Sequence, residues 1–397
     1  ITYEVKLDTL AGRSFRLFLS GRVSGAPATG LFGVFADGRV VEFPVSVATP
    51  QARVQFIHNS PGPAMDVYWD NTLQIDNLDF RKATPFLNIP AGRNIVIGIA
   101  PAGSSDPSQA NLTFTLRFSE NKNYILTASG LASGNPPLAL LVREEARITS
   151  SASNTVAVTV LHGAVGAPAV DVDALLDRDN LITNLNYGRY SDYIELTPDL
   201  YDFALRSAGT STVLANFRAD VSALAGQAVS VFASGTPGGS PAFGLYAVLT
   251  NGTVIPLATT PLARVQFLHN AASTTIDLYA NRRLLIDNFR YRKGTPFLTL
   301  PAGRNIVVNI APETSTMPTQ GLVTFQLNLE QGKRYIAAAI GRLGGSPGFD
   351  IVLNQTAREN STVPASIALT TLHGVPDAPA LDADALLVAN SMVTGLG

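Results

Sequence analysis

The sequence predicts an all-β protein built from tandem antiparallel β-sandwich modules in a rod-like array. Three observations support this: long internal repeats, short runs of alternating apolar and polar residues, and turn signals that recur about every 8–12 residues. At roughly 100–200 residues per domain, the 397 residues predict two to four domains.

The repeats divide the chain into two alternating module types. Residues 52–58 (ARVQFIH) recur as residues 263–269 (ARVQFLH), and residues 161–176 recur as residues 372–387 at the same spacing of 211 residues. Both units begin with an apolar run that ends in His, and an Asp follows eight or nine residues later. We call the first unit type A and the second type B, which gives the order B-A-B-A-B.

The two outer modules are predicted to be incomplete. Residues 32–35 (FGVF) resemble residues 243–246 (FGLY) of the complete B module. Either the chain is a window of a longer array, which we favour, or half-modules of neighbouring subunits complete one another. The predicted modules are the second half of a B-type module (1–50), an A-type module (51–150), a B-type module (151–261), a second A-type module (262–362) and the first half of a B-type module (363–397).

The local pattern indicates strands throughout. Residues 54–58, 95–99 and 112–118 alternate apolar and polar side chains, which is typical of a strand with one buried and one solvated face. The segment Pro90-Ala91-Gly92 predicts a tight turn before a strand. The linkers at 147–154 and 357–365 are short, so we expect a semi-rigid rod.

A family resemblance agrees with these patterns. Residues 57–68 (IHNSPGPAMDVY) resemble the hallmark of domain-of-unknown-function family 4397, an apolar-His-Ala-Ser-Pro-Asp-Ala-Pro run followed by an apolar-Asp-Val-Tyr strand. Residues 165–171 and 375–382 resemble it equally well, whereas residues 271–275 (AASTT) lack the prolines. The resemblance implies tandem Ig-like β-sandwich modules of secreted or cell-surface prokaryotic proteins, and it implies no known reaction.

Composition excludes several classes of protein. The net charge is −2, which argues against a generally basic nucleic-acid binder, and the 46% hydrophobic content argues against a disordered chain. Cysteine is absent, so no thiol nucleophile, cysteine metal ligand or disulfide is available. No apolar run has the roughly 20 residues of a membrane helix, and we expect no membrane span in this segment and no cofactor.

The His and Asp residues of the repeat motif are the most distinctive polar positions. Metal binding or base catalysis is one interpretation, but no module carries a second His. We favour a structural role, with each His at a strand end hydrogen-bonded to the following turn. The repeat-motif residues are His58, His162, His269, His373, Asp66 and Asp277.

Two further groups of charged residues are candidate binding sites. The pairs Asp171/Asp173 and Asp382/Asp384 place two carboxylates on one side of a strand and are candidate Ca²⁺ ligands. Because no complete calcium-loop pattern follows, we favour turn-capping or solvated aspartates. A basic cluster in the A modules is expected to contact the neighbouring acidic B module. It comprises Arg81, Lys82, Arg292 and Lys293.

Function is predicted to be structural. The sequence holds no G-x-S-x-G or H-E-x-x-H motif, and we expect no enzymatic activity. We expect a subunit of an extracellular or cell-surface filament or stalk, whose partners are copies of itself. The alternative is a surface adhesin that binds glycans, with Tyr68 and the sole Trp, Trp69, as aromatic candidates.

Overall fold

The computed structural model describes residues 3, 5, 12–45, 49–272, 275–375, 378–385 and 389–396, and from residue 382 onward it describes the backbone alone. Nearly all regular structure in these residues is β-strand. The helical elements among them are two 3-10 turns, Pro107–Gln109 and Pro318–Gln320. The prediction of an all-β chain of tandem sandwich modules is therefore confirmed.

The N-terminal segment, predicted to be half of a B-type module, contains a three-stranded antiparallel sheet in the order β1-β2-β3. Its strands are β1 (Phe15–Ser20), β2 (Gly30–Phe35) and β3 (Val40–Phe43). The side chains of β1 are largely exposed, with Leu17 at 53% and Leu19 at 66%.

The first A-type module, A1, folds as two four-stranded sheets in the orders β11-β10-β4-β7 and β6-β5-β8-β9. Its core lies between the sheets and includes Phe56, Trp69 and Phe118. The strands are β4 (Gln51–Asn59), β5 (Met65–Trp69), β6 (Thr72–Leu78), β7 (Leu87–Pro90), β8 (Asn94–Pro101), β9 (Leu112–Arg117), β10 (Asn123–Ser129) and β11 (Ala139–Arg143).

Module B has the same plan with five strands in each sheet, in the orders β15-β12-β18-β19-β20 and β14-β13-β16-β17-β21. Its core is formed mainly by aliphatic side chains such as Val172 and Val231. The strands are β12 (Val156–Leu161), β13 (Val170–Leu175), β14 (Arg178–Leu185), β15 (Ile194–Leu196), β16 (Leu200–Ser207), β17 (Val213–Asp220), β18 (Ala228–Ser234), β19 (Gly244–Leu249), β20 (Val254–Pro256) and β21 (Ala258–Thr259).

The second A-type module, A2, repeats the topology of A1, with sheets β25-β22-β29-β30 and β24-β23-β27-β28, and with β26 also paired to β22. The two strands described after residue 380 form a hairpin. The strands of A2 and of this hairpin are β22 (Leu262–His269), β23 (Ile276–Ala280), β24 (Arg283–Phe289), β25 (Lys293–Gly294), β26 (Leu298–Pro301), β27 (Asn305–Pro312), β28 (Val323–Asn328), β29 (Arg334–Ile340), β30 (Asp350–Asn354), β31 (Leu381–Ala385) and β32 (Ala389–Leu396).

Strand register corrects one sequence alignment. In the N-terminal sheet Ser20 pairs with Gly30, and in B the corresponding Ser234 pairs with Gly244. The equivalent of Phe32 is therefore Tyr246, three positions from the alignment that the Phe-Gly match suggested. The Phe-Gly match was misleading because the N-terminal hairpin has two nearby glycines, Gly30 and Gly33. Strand pairing makes Gly30, and not Gly33, the equivalent of Gly244.

One sheet in each complete module also departs from the expected pattern. It contains a parallel pair, between β4 and β10 in A1, between β12 and β18 in B, and between β22 and β29 in A2. In A1 and B these sheets are covered on both faces, and all seven residues of β18 are buried. The expectation of one solvated face is therefore wrong for these sheets, because a neighbouring module covers the outer face.

Candidate functional site

The His of the repeat motif is bonded to the turn that follows it. In three modules its Nε2 atom lies within hydrogen-bonding distance of a proline carbonyl oxygen: His58 to Pro63 at 3.1 Å, His162 to Pro168 at 2.8 Å and His373 to Pro379 at 2.9 Å. In A2, His269 packs against the rings of Phe289 and Tyr291. Burial lowers the pKa of His58 and of His162 below the ordinary value, because the charged imidazolium loses its water.

The motif Asp fastens two loops to each sandwich. Asp171 accepts hydrogen bonds from the Asn184 N–H at 2.7 Å and from the Gly209 N–H at 2.9 Å. These bonds stabilise the carboxylate and lower the pKa of Asp171. Asp66 and Asp277 make the corresponding bonds in A1 and A2. Each binds the N–H of an Asn in the left-handed region, with φ of 53° at Asn77, 50° at Asn184 and 51° at Asn288.

The candidate calcium pair in B is engaged by internal donors. Both carboxylate oxygens of Asp173 bind the guanidinium of Arg206, at 2.5 Å and 2.9 Å. The Arg206 guanidinium supplies the positive charge that a bound Ca²⁺ ion would otherwise provide. Within the described part of the chain, no group of three or more His, Cys, Asp or Glu could hold a metal ion. The side chains of Asp382 and Asp384 lie outside the described residues.

The junction between A1 and B is formed by the outer faces of two sheets. Because side chains alternate along a strand, Phe56 of β4 faces the A1 core and Ile57 faces B. The shared apolar layer contains Ile57 and Ile125 from A1, and Leu161 and Phe232 from B, each at most 2% exposed. Burial of such side chains stabilises the junction by about 1.5–3 kcal/mol each.

Polar contacts fix the register of this apolar layer. The Asn59 side chain donates to the carbonyl oxygens of Gly163 at 3.2 Å and Ala233 at 3.1 Å. The Gln55 side chain donates to the Leu249 carbonyl oxygen at 2.9 Å. Amide donors that reach backbone acceptors in the next module specify a single relative position of the two sheets.

Arg81 lies at the same junction. Its guanidinium donates to the Ala242 carbonyl oxygen at 2.6 Å and to Ser234 Oγ at 3.0 Å, and it lies 4.5 Å from the centroid of the Tyr246 ring. Its partners are thus neutral groups rather than the expected carboxylates. Among the described residues, three other members of the predicted basic cluster make no hydrogen bond or ion pair across a module boundary: Lys82, Arg292 and Lys293.

The junction between B and A2 contains ion pairs. The sequence instead predicts such contacts for the basic cluster of the A modules. Arg282 pairs with Asp177 at 2.7 Å and with Asp199 at 3.0 Å, and Arg283 pairs with Asp179 at 2.8 Å. Arg282 lies in the turn between β23 and β24, and Arg283 begins β24. The aspartates of B lie in the β13–β14 turn, in β14 and in the connection between β15 and β16. These pairs are partly exposed and are screened by salt.

A buried carboxylate lies at the centre of this junction. Asp202 is fully buried and binds Arg218 of B at 2.7 Å and Arg304 of A2 at 3.1 Å. Arg218 also donates to the Ala302 carbonyl oxygen at 2.7 Å, and Arg304 donates to the Leu200 carbonyl oxygen at 2.7 Å. Two largely buried arginines, with side chains 16% and 11% exposed, therefore share one carboxylate and two carbonyl groups across the boundary.

An apolar side chain from B completes the core of A2. Leu176 is 3% exposed and belongs to the same buried cluster as Phe267 and Ala280 of A2. Its carbonyl oxygen accepts a hydrogen bond from the Arg282 N–H at 3.1 Å. Position 280 corresponds to Trp69 of A1, so A2 has a smaller side chain at this place and receives a leucine from its neighbour.

Sequence reasoning missed Leu176, Asp202, Arg282 and Arg304. A comparison of the two A modules carried one usable signal, because Arg282-Arg283 of A2 stands where A1 has Asn71-Thr72. Asp202 gave no such signal, since it lies within an apolar strand and its partners are distant in sequence.

The fold and junctions define a tandem-repeat all-β protein, and sequence comparison gives its family. The family described as "Domain of unknown function (DUF4397)" matches residues 52–173, 156–256 and 263–384. The chain therefore belongs to this family, as its sequence motifs indicated. No match is found among curated proteins. No helix of the described residues is long and apolar enough to cross a membrane.

Among solved structures, the chain is similar to one titled "The Bacillus anthracis TIE protein". The identity is 8%, the TM-score is 0.16, and the match covers 85% of this chain and 59% of that one. The chain thus spans less than two thirds of that protein, and a similarity of this degree carries no inference about function.

Proposed function

We propose that this chain is a non-catalytic structural part of an extracellular or cell-surface filament or stalk, in which A-type and B-type modules alternate. The observation that supports this most directly is that B is fastened on two sides. One sheet face is buried against A1, and its turns and Asp202 are buried against A2. Modules fastened in this way keep a fixed orientation and transmit force along the array.

The linker adds to this rigidity. The Arg147 N–H donates to the Tyr193 hydroxyl at 2.8 Å, and the Arg147 guanidinium pairs with Glu195 at 2.9 Å. The Ser150 N–H donates to the Gly226 carbonyl oxygen at 3.1 Å. The segment that joins A1 to B is thus bonded along the surface of B, which restricts hinge motion.

The surface of A1 that binds B recurs on A2. Three of its polar residues are identical: Gln55 recurs as Gln266, Asn59 as Asn270 and Arg81 as Arg292. Asn270 donates to the Gly374 carbonyl oxygen at 3.4 Å, as Asn59 donates to Gly163. A2 therefore offers a further B-type module a matching surface, whether that module lies in the same chain or in another copy.

The polar residues of the repeat motif support the non-catalytic part of the proposal. Asp171 and His162 are engaged with backbone groups of their own module. The aromatic candidates of the glycan-binding alternative are buried, because Tyr68 and Trp69 are 3% and 7% exposed. Trp69 lies in the A1 core, and the Tyr68 hydroxyl is bonded to Ser104. The extracellular location rests on the family resemblance.

Electron microscopy of the native protein at low concentration tests the filament. We expect continuous fibres whose axial repeat corresponds to one A–B pair. Asp202→Ala should lower the persistence length of the fibres, and Glu120→Ala, a change of an exposed carboxylate in A1, should leave it unchanged. Monodisperse short particles in place of fibres would overturn the filament.

A further inference from the structure

We propose that module B binds a single aliphatic chain, such as that of a lipid or another amphiphile, in the cavity between its two sheets. The cavity has a volume of about 490 Å³. This lies within the range of roughly 300–1,000 Å³ that is usual for small-molecule sites. The proposal concerns the interior of B and does not depend on the filament role.

The cavity arises from small side chains at positions that are large in the A modules. Val160 occupies the place of Phe56 in A1 and Phe267 in A2, and strand pairing puts it opposite Val231. Phe56 and Phe267 are each 2% exposed, whereas Val160 is only partly buried although it faces the core.

The neighbouring pair shows the same change. Val158 lies opposite Val229, whereas in A1 and A2 the corresponding valines lie opposite Tyr124 and Tyr335. Both tyrosines are buried and fill the space between the sheets. Aromatic rings at two adjacent layers of this sheet are thus replaced by valines in B. The facing sheet of B is larger at two positions, because Tyr201 and Phe203 stand where A1 has Ile95 and Ile97, and the cavity remains beside Phe203.

The shape and lining of the cavity select the class of ligand. Lining residues run from Val158 of β12 to His162 just beyond its end, which is about 13 Å at roughly 3.3 Å per residue. The slot therefore extends along the strands and, because the lining also includes Ile255 of the edge strand β20, across the sheet. Its mouth lies beside Leu214 and Ile255, which are 47% and 43% exposed.

The polar groups of the lining are engaged, with one exception: the buried Nδ1 atom of His162 has no hydrogen-bond partner among the described residues. Of the lining residues, 31 are apolar, and the three polar ones are His162, Arg218 and Asp220. His162 is bonded to Pro168, Arg218 to Asp202 and Ala302, and Asp220 to Ser222. A ligand in this cavity gains contact area rather than hydrogen bonds, which suits a hydrocarbon chain with its polar end at the mouth.

Fluorescence titration of the full chain with cis-parinaric acid tests this site. We expect saturable binding of one probe per chain. Val160→Phe, which restores the residue of the A modules, should weaken binding by about tenfold or more, because the ring occupies the slot. The matched control is Val213→Phe, which adds the same ring at a 50% exposed position outside the cavity and should leave the affinity unchanged.

Competition between the probe and other amphiphiles identifies which part of the ligand the cavity recognises. Dodecanoic acid and dodecan-1-ol should displace the probe with similar strength, because the chain and not the head group is bound. Val231→Leu, which introduces the residue found at position 126 of A1, provides a second filling variant in case Val160→Phe does not fold. The proposal is overturned by the lack of saturable binding to the wild type, by undiminished binding to a folded filled variant, or by displacement with only one competitor.

Discussion

The junction between A1 and B joins the faces of two sheets, whereas the junction between B and A2 joins the turns of one sandwich to the end of another. The first buries an apolar layer that includes Ile57 and Phe232. The second buries a carboxylate, Asp202, with arginines from both modules, and inserts Leu176 into the core of A2. One chain thus fastens the same module with two kinds of chemistry.

The two junctions contribute differently to the stability of the chain and to the orientation of its modules. An apolar layer is non-directional and gains free energy in proportion to the area that it buries. Charged and hydrogen-bonded contacts contribute less net free energy, but they reject wrong registers, because a misplaced Asp202 or Arg304 would be buried without a partner. We infer that the apolar junction supplies most of the cohesion and the charged junction sets the angle between modules.

The first prediction has the largest expected effect on the free energy of unfolding and concerns the buried carboxylate of the junction between B and A2. Asp202→Ala leaves Arg218 and Arg304 without their shared carboxylate, and we expect a loss of about 3–5 kcal/mol in the free energy of unfolding. Urea unfolding followed by circular dichroism measures the loss. The sole Trp, Trp69, lies in A1, so its fluorescence reports separately on the module that the charged junction does not touch.

Glu120→Ala is the control, because Glu120 is exposed and lies in A1. Its effect should stay within about 0.5 kcal/mol. A loss below about 1 kcal/mol for Asp202→Ala would contradict the buried triad, because removal of one partner of a buried pair is normally far more costly.

The second prediction concerns the leucine that enters A2. Leu176→Ala removes a 3% exposed side chain from the A2 core, and we expect a loss of about 2–4 kcal/mol with faster hydrogen exchange in β22 and β27. Leu176→Met keeps the volume and should cost less than about 1.5 kcal/mol. Equal effects of Leu176→Ala on A1 and A2 amides would show that the leucine does not belong to A2.

Sequence alone could predict the modules but not how they are fastened. Alternation, turn residues and the repeat of His and Asp are local features, and a hydrogen bond such as His58 to Pro63 spans only five residues. Leu176 follows a strand of B and reads as an ordinary turn residue, with a φ of 62°. Its role depends on Ala280, and that of Asp202 on Arg304, so both require the orientation of the next module.

The third prediction compares Arg81 of A1 with Arg292, the equivalent residue of A2. Arg81 donates to Ala242 and Ser234 of the next module, whereas the equivalent Arg292 makes no such contact within the described residues. We expect Arg81→Ala to lower the free energy of unfolding by about 1.5–3 kcal/mol, because charged hydrogen bonds to partly buried acceptors are lost. Arg292→Ala should change it by less than about 0.5 kcal/mol. Urea unfolding followed by circular dichroism measures both, and equal losses would show that Arg81 acts within A1.

The fourth prediction has the smallest expected effect on the free energy of unfolding and concerns a partly exposed ion pair at the edge of the junction between B and A2. Arg283 pairs with Asp179 at 2.8 Å, and both side chains are partly exposed, so Arg283→Ala should cost only about 0.2–1 kcal/mol at low salt. The cost should shrink further as the ionic strength rises towards about 1 M, where the Debye length falls to about 3 Å. The loss caused by Arg81→Ala at the other junction should change little over the same range, because its partners are neutral. Parallel urea titrations at both salt concentrations measure the two losses. A salt-independent cost for Arg283→Ala would mean that its alkyl chain, rather than its charge, holds the rim of A2 against B.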